Sequence, residues 1–133
     1  MRPTVDNSLR QPQGNLMFLT LAQVALGGAI GSVVRYLTVT MVGAPFGTAL
    51  VNVVGSFAMG ALFVTLTART NLPPLLMTGV LGGFTTFSAF SLDALKLWQS
   101  GQTVQAALYI GASVGLSLLA VVLGAALAKG ALG

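Results

Sequence analysis

The sequence predicts an all-α membrane protein with four transmembrane helices, the third broken near the membrane centre. Three observations carry this. The 133-residue chain is 55% hydrophobic and only 6% charged, whereas a soluble domain carries about 25% charged residues, so it cannot cover itself with a hydrated surface. Four apolar stretches, at 16–41, 45–67, 72–98 and 104–129, each reach the ~20 residues that span a bilayer as a helix. The third stretch runs into GGFTTFSAFS, residues 82–91, which is too polar to face lipid yet contains no ionisable group.

The domain division follows from the same pattern. Residues 1–15 are polar, lack the apolar core of a cleavable signal and read as a tail; residues 16–133 form one four-helix domain, whose first helix is expected to direct insertion. The absence of Cys excludes disulfides and thiolate chemistry. A pI near 10.4 rests on six basic residues without a basic stripe, which suits anionic headgroups and not nucleic acid. There is no His and no Glu, and Asp6 and Asp93 are the only acids. Neither an acid–base pair nor a metal cluster of side chains can be assembled within one subunit, so the chain is not read as an enzyme.

Four spans place both termini and the second loop on one side, with Arg2, Arg10, Arg69 and Lys129; Arg35 and Lys96 lie on the other. Without the tail the sides balance. Short-loop Lys and Arg set orientation, so the balance fits either a weak inside bias or insertion in both orientations.

In the first helix, GGAIGSVVRY (27–36) pairs Gly27 with Gly31 at the spacing that lets helix backbones approach. Arg35 falls about 28 Å beyond Leu16 at ~1.5 Å per residue, near the hydrocarbon edge. It reads either as an interfacial anchor beside Tyr36 or as a positive charge at a vestibule that draws anions inward.

In the second helix, GTALVNVVGSFAMG (47–60) places Thr48, Asn52 and Ser56 on one face. The Asn52 amide must find protein or water, either as packing glue to a neighbouring helix or as the lining of a polar pathway. The fourth helix repeats the pattern with Gln105, Tyr109, Ser113 and Ser117, and Gly111–Gly115 is read as a second close-packing pair.

The third span starts at Pro73–Pro74, where a missing N–H costs little, and meets Gly82–Gly83 and Thr85–Thr86, all poor helix formers. A mid-membrane break is tolerated only against protein or a water-filled cavity, and transporters use such breaks to hold ions. Phe87, Phe90 and Ser91 then share a face. Asp93, with Lys96 three residues on, reads as a local ion pair at the helix end.

A cation pathway normally shows acidic rings or carbonyl rings. Here the inventory is an amide, hydroxyls and unwound backbone N–H groups, with Phe rings that are positive at the edge. That neutral, donor-rich set suits a compact, strongly hydrated anion, which the chemistry alone does not identify.

Three blocks, GGAIGSVVRY, GTALVNVVGSF and TGVLGGFTTFSAFSLD (78–93), resemble the signature of the small bacterial fluoride channels called Fluc or CrcB. They cover three of the four helices in order, and the third block is the specific one. The resemblance implies a fluoride-selective channel that lets cytoplasmic fluoride leave the cell passively and lowers its toxicity. It implies a multi-pass protein of the bacterial inner membrane, assembled as an antiparallel, dual-topology homodimer with two pores. The implied pore residues are Phe87, Phe90, Asn52, Ser91, Thr86, Tyr109 and Ser113, with Arg35 at the vestibule. A structural Na⁺ on the dimer axis would be held by the backbone carbonyls of Gly82 and Thr85. Two departures stand out: Ala89 replaces a frequent Thr, and Asp93 replaces the usual Glu.

Two other classes compete. A four-helix multidrug/proton antiporter needs a membrane-embedded acid, typically a Glu in the first helix, which this chain lacks. A non-transporting membrane scaffold would explain the small-residue pairs but not two donor stripes converging on a broken helix.

Overall fold

The computed structural model describes residues 11–66 and 72–133. It is helical throughout: α1 (Gln11–Val42), α2 (Phe46–Leu66), a third span in two parts, and α5 (Thr103–Leu132). The first part of the third span, α3, comprises Pro74–Leu81 and a last α turn, Gly82–Phe84; the second, α4, is Phe87–Gln99. Among the described residues, four helical stretches are long and apolar enough to cross a membrane: Gln13–Val42, Phe46–Leu66, Pro74–Gln99 and Thr103–Leu132. The four-span expectation therefore holds. Helix α1 reaches back into the segment read as tail, to Gln11. Asp6, Arg2, Arg10 and Arg69, used in the acid and orientation counts, lie outside the described residues.

Small residues decide which helices meet. Gly27 and Gly31 sit against α3: a methyl on Gly27 would come 2.8 Å from the Val80 nitrogen, and one on Gly31 2.8 Å from the Phe84 nitrogen. Gly79 answers from the other side, where a methyl would lie 2.9 Å from the Gly27 Cα. In a bilayer, where lipid tails are as apolar as Leu, backbone approach of this kind is a main source of helix association. Helix α2 packs along α5 by the same device, with Gly60 against Val121 and Ala125, and Gly124 against Phe57 and Ala61. The expected α5 pair, Gly111–Gly115, is not at this crossing. Both face open space, because the buried face of α5 carries Ala106, Ser113, Ala120 and Gly124, and Gly111 and Gly115 lie off that face.

The third span departs from a regular helix before it breaks. Over Pro74–Leu81 it is wound wider than α, and the Gly82 N–H reaches back five residues to the Met77 carbonyl. Such π windings often accompany functional sites. The break itself falls at Thr85–Thr86, whose ψ angles of 155° and 118° are extended. Gly82–Gly83, expected to interrupt the helix, remain inside it; Gly83 is small because Gly28 of α1 packs against it, 3.1 Å from where a Cβ would stand.

These crossings predict that Gly60→Val, whose side chain meets the Val121 carbonyl, destabilises the fold by about 1–3 kcal/mol or more. Gly14→Ala, which meets nothing, is expected to be neutral or to stabilise by up to ~1 kcal/mol. Thermal melting of both variants in detergent checks the pair.

Candidate functional site

A break inside a bilayer exposes backbone groups that lipid cannot satisfy, and this chain closes the gap with one side chain. The Asn52 amide nitrogen donates to the Thr86 carbonyl at 2.9 Å, and the Thr86 N–H donates to the Asn52 amide oxygen at 2.7 Å. The asparagine thus pairs with the broken peptide as a neighbouring strand would. Gly55, one turn further along α2, leaves room for the Thr85 methyl group. The Thr86 hydroxyl caps α4 by accepting from the Ala89 N–H at 3.2 Å, and lies 3.3 Å from the Ser88 hydroxyl. The Thr85 carbonyl, outside both helical parts, accepts from Arg35 Nη1 at 3.3 Å. Arg35 is therefore joined to the break itself.

Beside the break lies a cavity of about 430 Å³. Asn52 and Ser56 line it from α2, Thr85, Thr86, Phe87 and Phe90 from the third span, and Ser113 and Ser117 from α5. Asn52 and Ser56 of the α2 stripe face Ser113 and Ser117 of the α5 stripe across it, while Thr48, Gln105 and Tyr109 lie outside its lining. The three aromatics form a ladder at its edge: Phe87 and Phe90 have ring centroids 5.4 Å apart, as do Phe90 and Tyr109, each pair tilted. Phe90 is buried, whereas Phe87 is 77% exposed in the single chain.

Two groups of hydroxyls contrast. Thr20, Thr38, Thr65 and Ser91 each donate to the carbonyl four residues back, at 2.9–3.0 Å, the usual way a helix satisfies Ser and Thr. The hydroxyls of Tyr109, Ser113 and Ser117 do not; all three are buried without a hydrogen-bond partner among the described residues. Four apart, they form a row along one face of α5. Unmade hydrogen bonds in a low-dielectric site are costly, so the row offers donors to water or to an ion. Ser91 is in the satisfied set, exposed and bonded to Phe87, and is not brought to the cavity.

The expected Asp93–Lys96 ion pair is absent. Asp93 points inward and accepts from the buried Thr48 hydroxyl at 2.6 Å, while Lys96 is exposed. Facing α2 gives the carboxylate a charge-assisted hydrogen bond, which a one-turn neighbour on a lipid-facing side does not match. Tyr109 lies beside Asp93, Thr48 and Ser113 without aligning for a hydrogen bond.

The carbonyls of Gly82 and Thr85 bear on the implied cation. In a continuous helix the Thr86 N–H would bond Gly82, but Asn52 takes it. The break therefore frees the Gly82 carbonyl of that bond and turns the Thr85 carbonyl out of helical pairing. Neutral carbonyl oxygens are the donor type that hard cations prefer.

Reading by residue type missed three features. Gly55 and Ser117 belong with the cavity, and Thr48 serves Asp93. Ser117 was visible as the last member of the α5 stripe; the other two needed the helices placed in space.

The fold and site define a multi-pass helical membrane protein of the transport class, with a neutral, donor-lined cavity at a broken helix and no catalytic constellation among the described residues. The family model described as CrcB-like protein, Camphor Resistance (CrcB), matches residues 22–125, which include the break and the cavity. Proteins named fluoride-specific ion channel FluC are similar over most of the chain. One from Cereibacter sphaeroides is 54% identical over 121 residues, covering 86% of this chain and 98% of the relative. One from Ruegeria sp. is 53% identical over 126 residues, covering 87% and 99%; one from Paracoccus denitrificans is 48% identical over 118 residues, covering 84% and 95%. The chain belongs to the CrcB family.

Because Asn52 closes the break, Asn52→Leu leaves the Thr86 N–H and carbonyl both unpaired. The expected loss is about 1–3 kcal/mol for each orphaned group. It is read as a fall in melting temperature, with faster exchange of the Thr86 amide hydrogen.

Proposed function

We propose that this chain is a subunit of a fluoride-selective channel, through which fluoride leaves the cell passively. The observation that carries the reading is the row of unpartnered hydroxyls at Tyr109, Ser113 and Ser117. A small, strongly hydrated anion must exchange its water for fixed donors, and these hydroxyls have no hydrogen-bond partner among the described residues. The name that the relatives carry, fluoride-specific ion channel FluC, supplies the identity of the anion.

The residues take the following parts. Ser113 and Ser117 offer O–H groups to the anion from α5, with Tyr109 continuing their line. Asn52 uses one amide proton on Thr86 and retains another for the cavity. Phe87 and Phe90 present ring edges, which carry the positive end of the aromatic quadrupole. Thr86 and Ser91 are the further polar candidates, of which Thr86 lines the cavity. Arg35, tethered to Thr85, provides a positive field without a mobile charge in the path. The driving force is external: a membrane potential contributes about 2.3 kcal/mol per charge per 100 mV, or roughly a 50-fold gradient at ~1.4 kcal/mol per tenfold. Neutral HF that enters from acidic surroundings and dissociates inside supplies the ion to be expelled.

The working unit in this proposal is an antiparallel, dual-topology homodimer in the bacterial inner membrane. The exposure of Phe87 and the empty space around Gly111 and Gly115 are surfaces that a second copy could cover. The near balance of basic residues supports insertion both ways. Na⁺ would be held by the Gly82 and Thr85 carbonyls. Two oxygens are fewer than the roughly six that hard cations take, which agrees with a site completed by a second copy. Bound there, the ion would supply fixed positive charge at the break.

Liposomes loaded with fluoride and monitored by a fluoride-selective electrode test the reading. Wild-type protein is expected to release fluoride with little chloride leak. Ser113→Ala with Ser117→Ala is expected to slow release by about tenfold or more, at ~1.4 kcal/mol per tenfold, and Phe87→Ile and Phe90→Ile to reduce it. Release no faster than from protein-free vesicles removes the proposal. For the assembly, single cysteines at the two ends of α5 should cross-link head to tail; cross-links between matched ends alone would exclude the antiparallel arrangement.

A further inference from the structure

The Thr85 carbonyl is claimed twice. It is one of the two oxygens read as ligands for Na⁺, and it already accepts from Arg35 Nη1 at 3.3 Å. Among the described residues Arg35 makes this one hydrogen bond. The single acid among them, Asp93, is bonded to Thr48 instead. A guanidinium, positively charged and rich in donors, thus rests on a neutral oxygen with no carboxylate bonded to it.

The surrounding bonds decide which partner can give way. Thr85 is held from both sides: its N–H and its hydroxyl donate to the Leu81 carbonyl, at 3.0 and 2.9 Å. The peptide that carries its carbonyl is trans, so the oxygen points away from the Thr86 N–H, and Asn52 fixes that N–H at 2.7 Å. The backbone of α1 is fixed as well. A methyl on Gly31, one turn before Arg35, would come 2.8 Å from the Phe84 nitrogen. What can move is the Arg35 side chain, which is half-buried and long enough to carry its head to water.

A carbonyl oxygen has two lone pairs, so geometry alone lets it accept a guanidinium and a metal ion together. Charge opposes it, because two cations on one oxygen repel strongly in a medium that screens poorly. We infer that Arg35 is a built-in competitor of the Na⁺ site: its guanidinium occupies the Thr85 carbonyl, and the metal ion binds by displacing it. The break then holds one positive charge in either state, from the side chain or from the ion. A single chain offers the metal only two oxygens and favours Arg35. A second copy that adds oxygens next to Gly82, which is exposed in the single chain, favours the metal. The displaced guanidinium turns toward water, where its field draws anions inward. The inference rests on the reading of Gly82 and Thr85 as cation ligands.

The test is thermal melting of the full chain in detergent, with NaCl exchanged for choline chloride at constant ionic strength. An ion that binds only the folded protein raises its melting temperature. Arg35→Gln keeps a donor for the Thr85 carbonyl and removes the charge. The Na⁺ concentration that gives half of the rise is expected to fall by about tenfold or more. A purely structural Arg35 would lower the melting temperature at every Na⁺ concentration without moving that midpoint. An unmoved midpoint therefore overturns the inference and leaves the Na⁺ site standing, whereas no response to Na⁺ in either protein overturns both. A second measurement needs no substitution. In nitrogen-labelled wild-type protein, the Arg35 side-chain N–H resonance should shift as NaCl is added, with the midpoint found by melting. A resonance that stays in place at Na⁺ concentrations that saturate the melting response also overturns the competition.

Discussion

The pairing of the Asn52 amide with the Thr86 peptide is the constraint on which the rest of this structure depends. A helix that stops in the middle of a bilayer leaves N–H and C=O groups that lipid cannot satisfy, and without a remedy the chain would rewind through Thr85 and Thr86. Asn52 gives the break a donor and an acceptor in one planar group, at 2.9 and 2.7 Å. Once those bonds exist, the consequences follow locally. Gly82 loses its helical partner, the Thr85 carbonyl turns toward Arg35, and Thr86 becomes the cap of α4. Phe87 and Phe90 are then set at the cavity edge by the first turn of a newly started helix. Gly55 completes the arrangement by letting Thr85 seat against α2.

Hydrogen-bond accounting separates a pathway from ordinary packing. Hydroxyls in membrane helices are common and are usually absorbed by their own backbone, as Thr20, Thr38, Thr65 and Ser91 are here. A polar stripe is consequently weak evidence by itself. Ser113, Ser117 and Tyr109 occupy the same kind of helix and yet remain unpaired. Ser113 and Ser117 face a cavity whose opposite wall has its amide already spoken for on one side. The same accounting reassigns Thr48: it lies on the α2 stripe with Asn52 and Ser56, but its proton goes to Asp93.

Much of this was legible in the sequence because membrane helices advertise themselves by length and composition. The four spans and the Gly27–Gly31 contact were readable from spacing alone. The break was readable as a region, from GGFTTFS, but not as a position: Gly82 and Gly83 look like the weakest residues, yet both stay helical, Gly83 packed against Gly28 of α1. Asp93 shows why charge spacing misleads inside a bilayer. A Lys three residues away suggests a pair, but a buried threonine on another helix provided a better-oriented partner. The Gly111–Gly115 motif makes a related point. A small-xxx-small pair states that something can approach, not which helix does, and within one chain the approach to α5 is made at Gly124.

The absence of free charge from the cavity is itself informative about how an ion would cross. A Lys or Arg side chain in the cavity would bind an anion tightly and release it slowly, and conduction needs sites weak enough to leave. Here the positive charge is kept at one remove: Arg35 is held on the Thr85 carbonyl at 3.3 Å, where it biases the potential without entering the path. The direct contacts are left to hydroxyl, amide and aromatic-edge hydrogens, each individually weak and several within one cavity. A lining of this kind can replace hydration in small steps, whereas a single strong site would hold the ion.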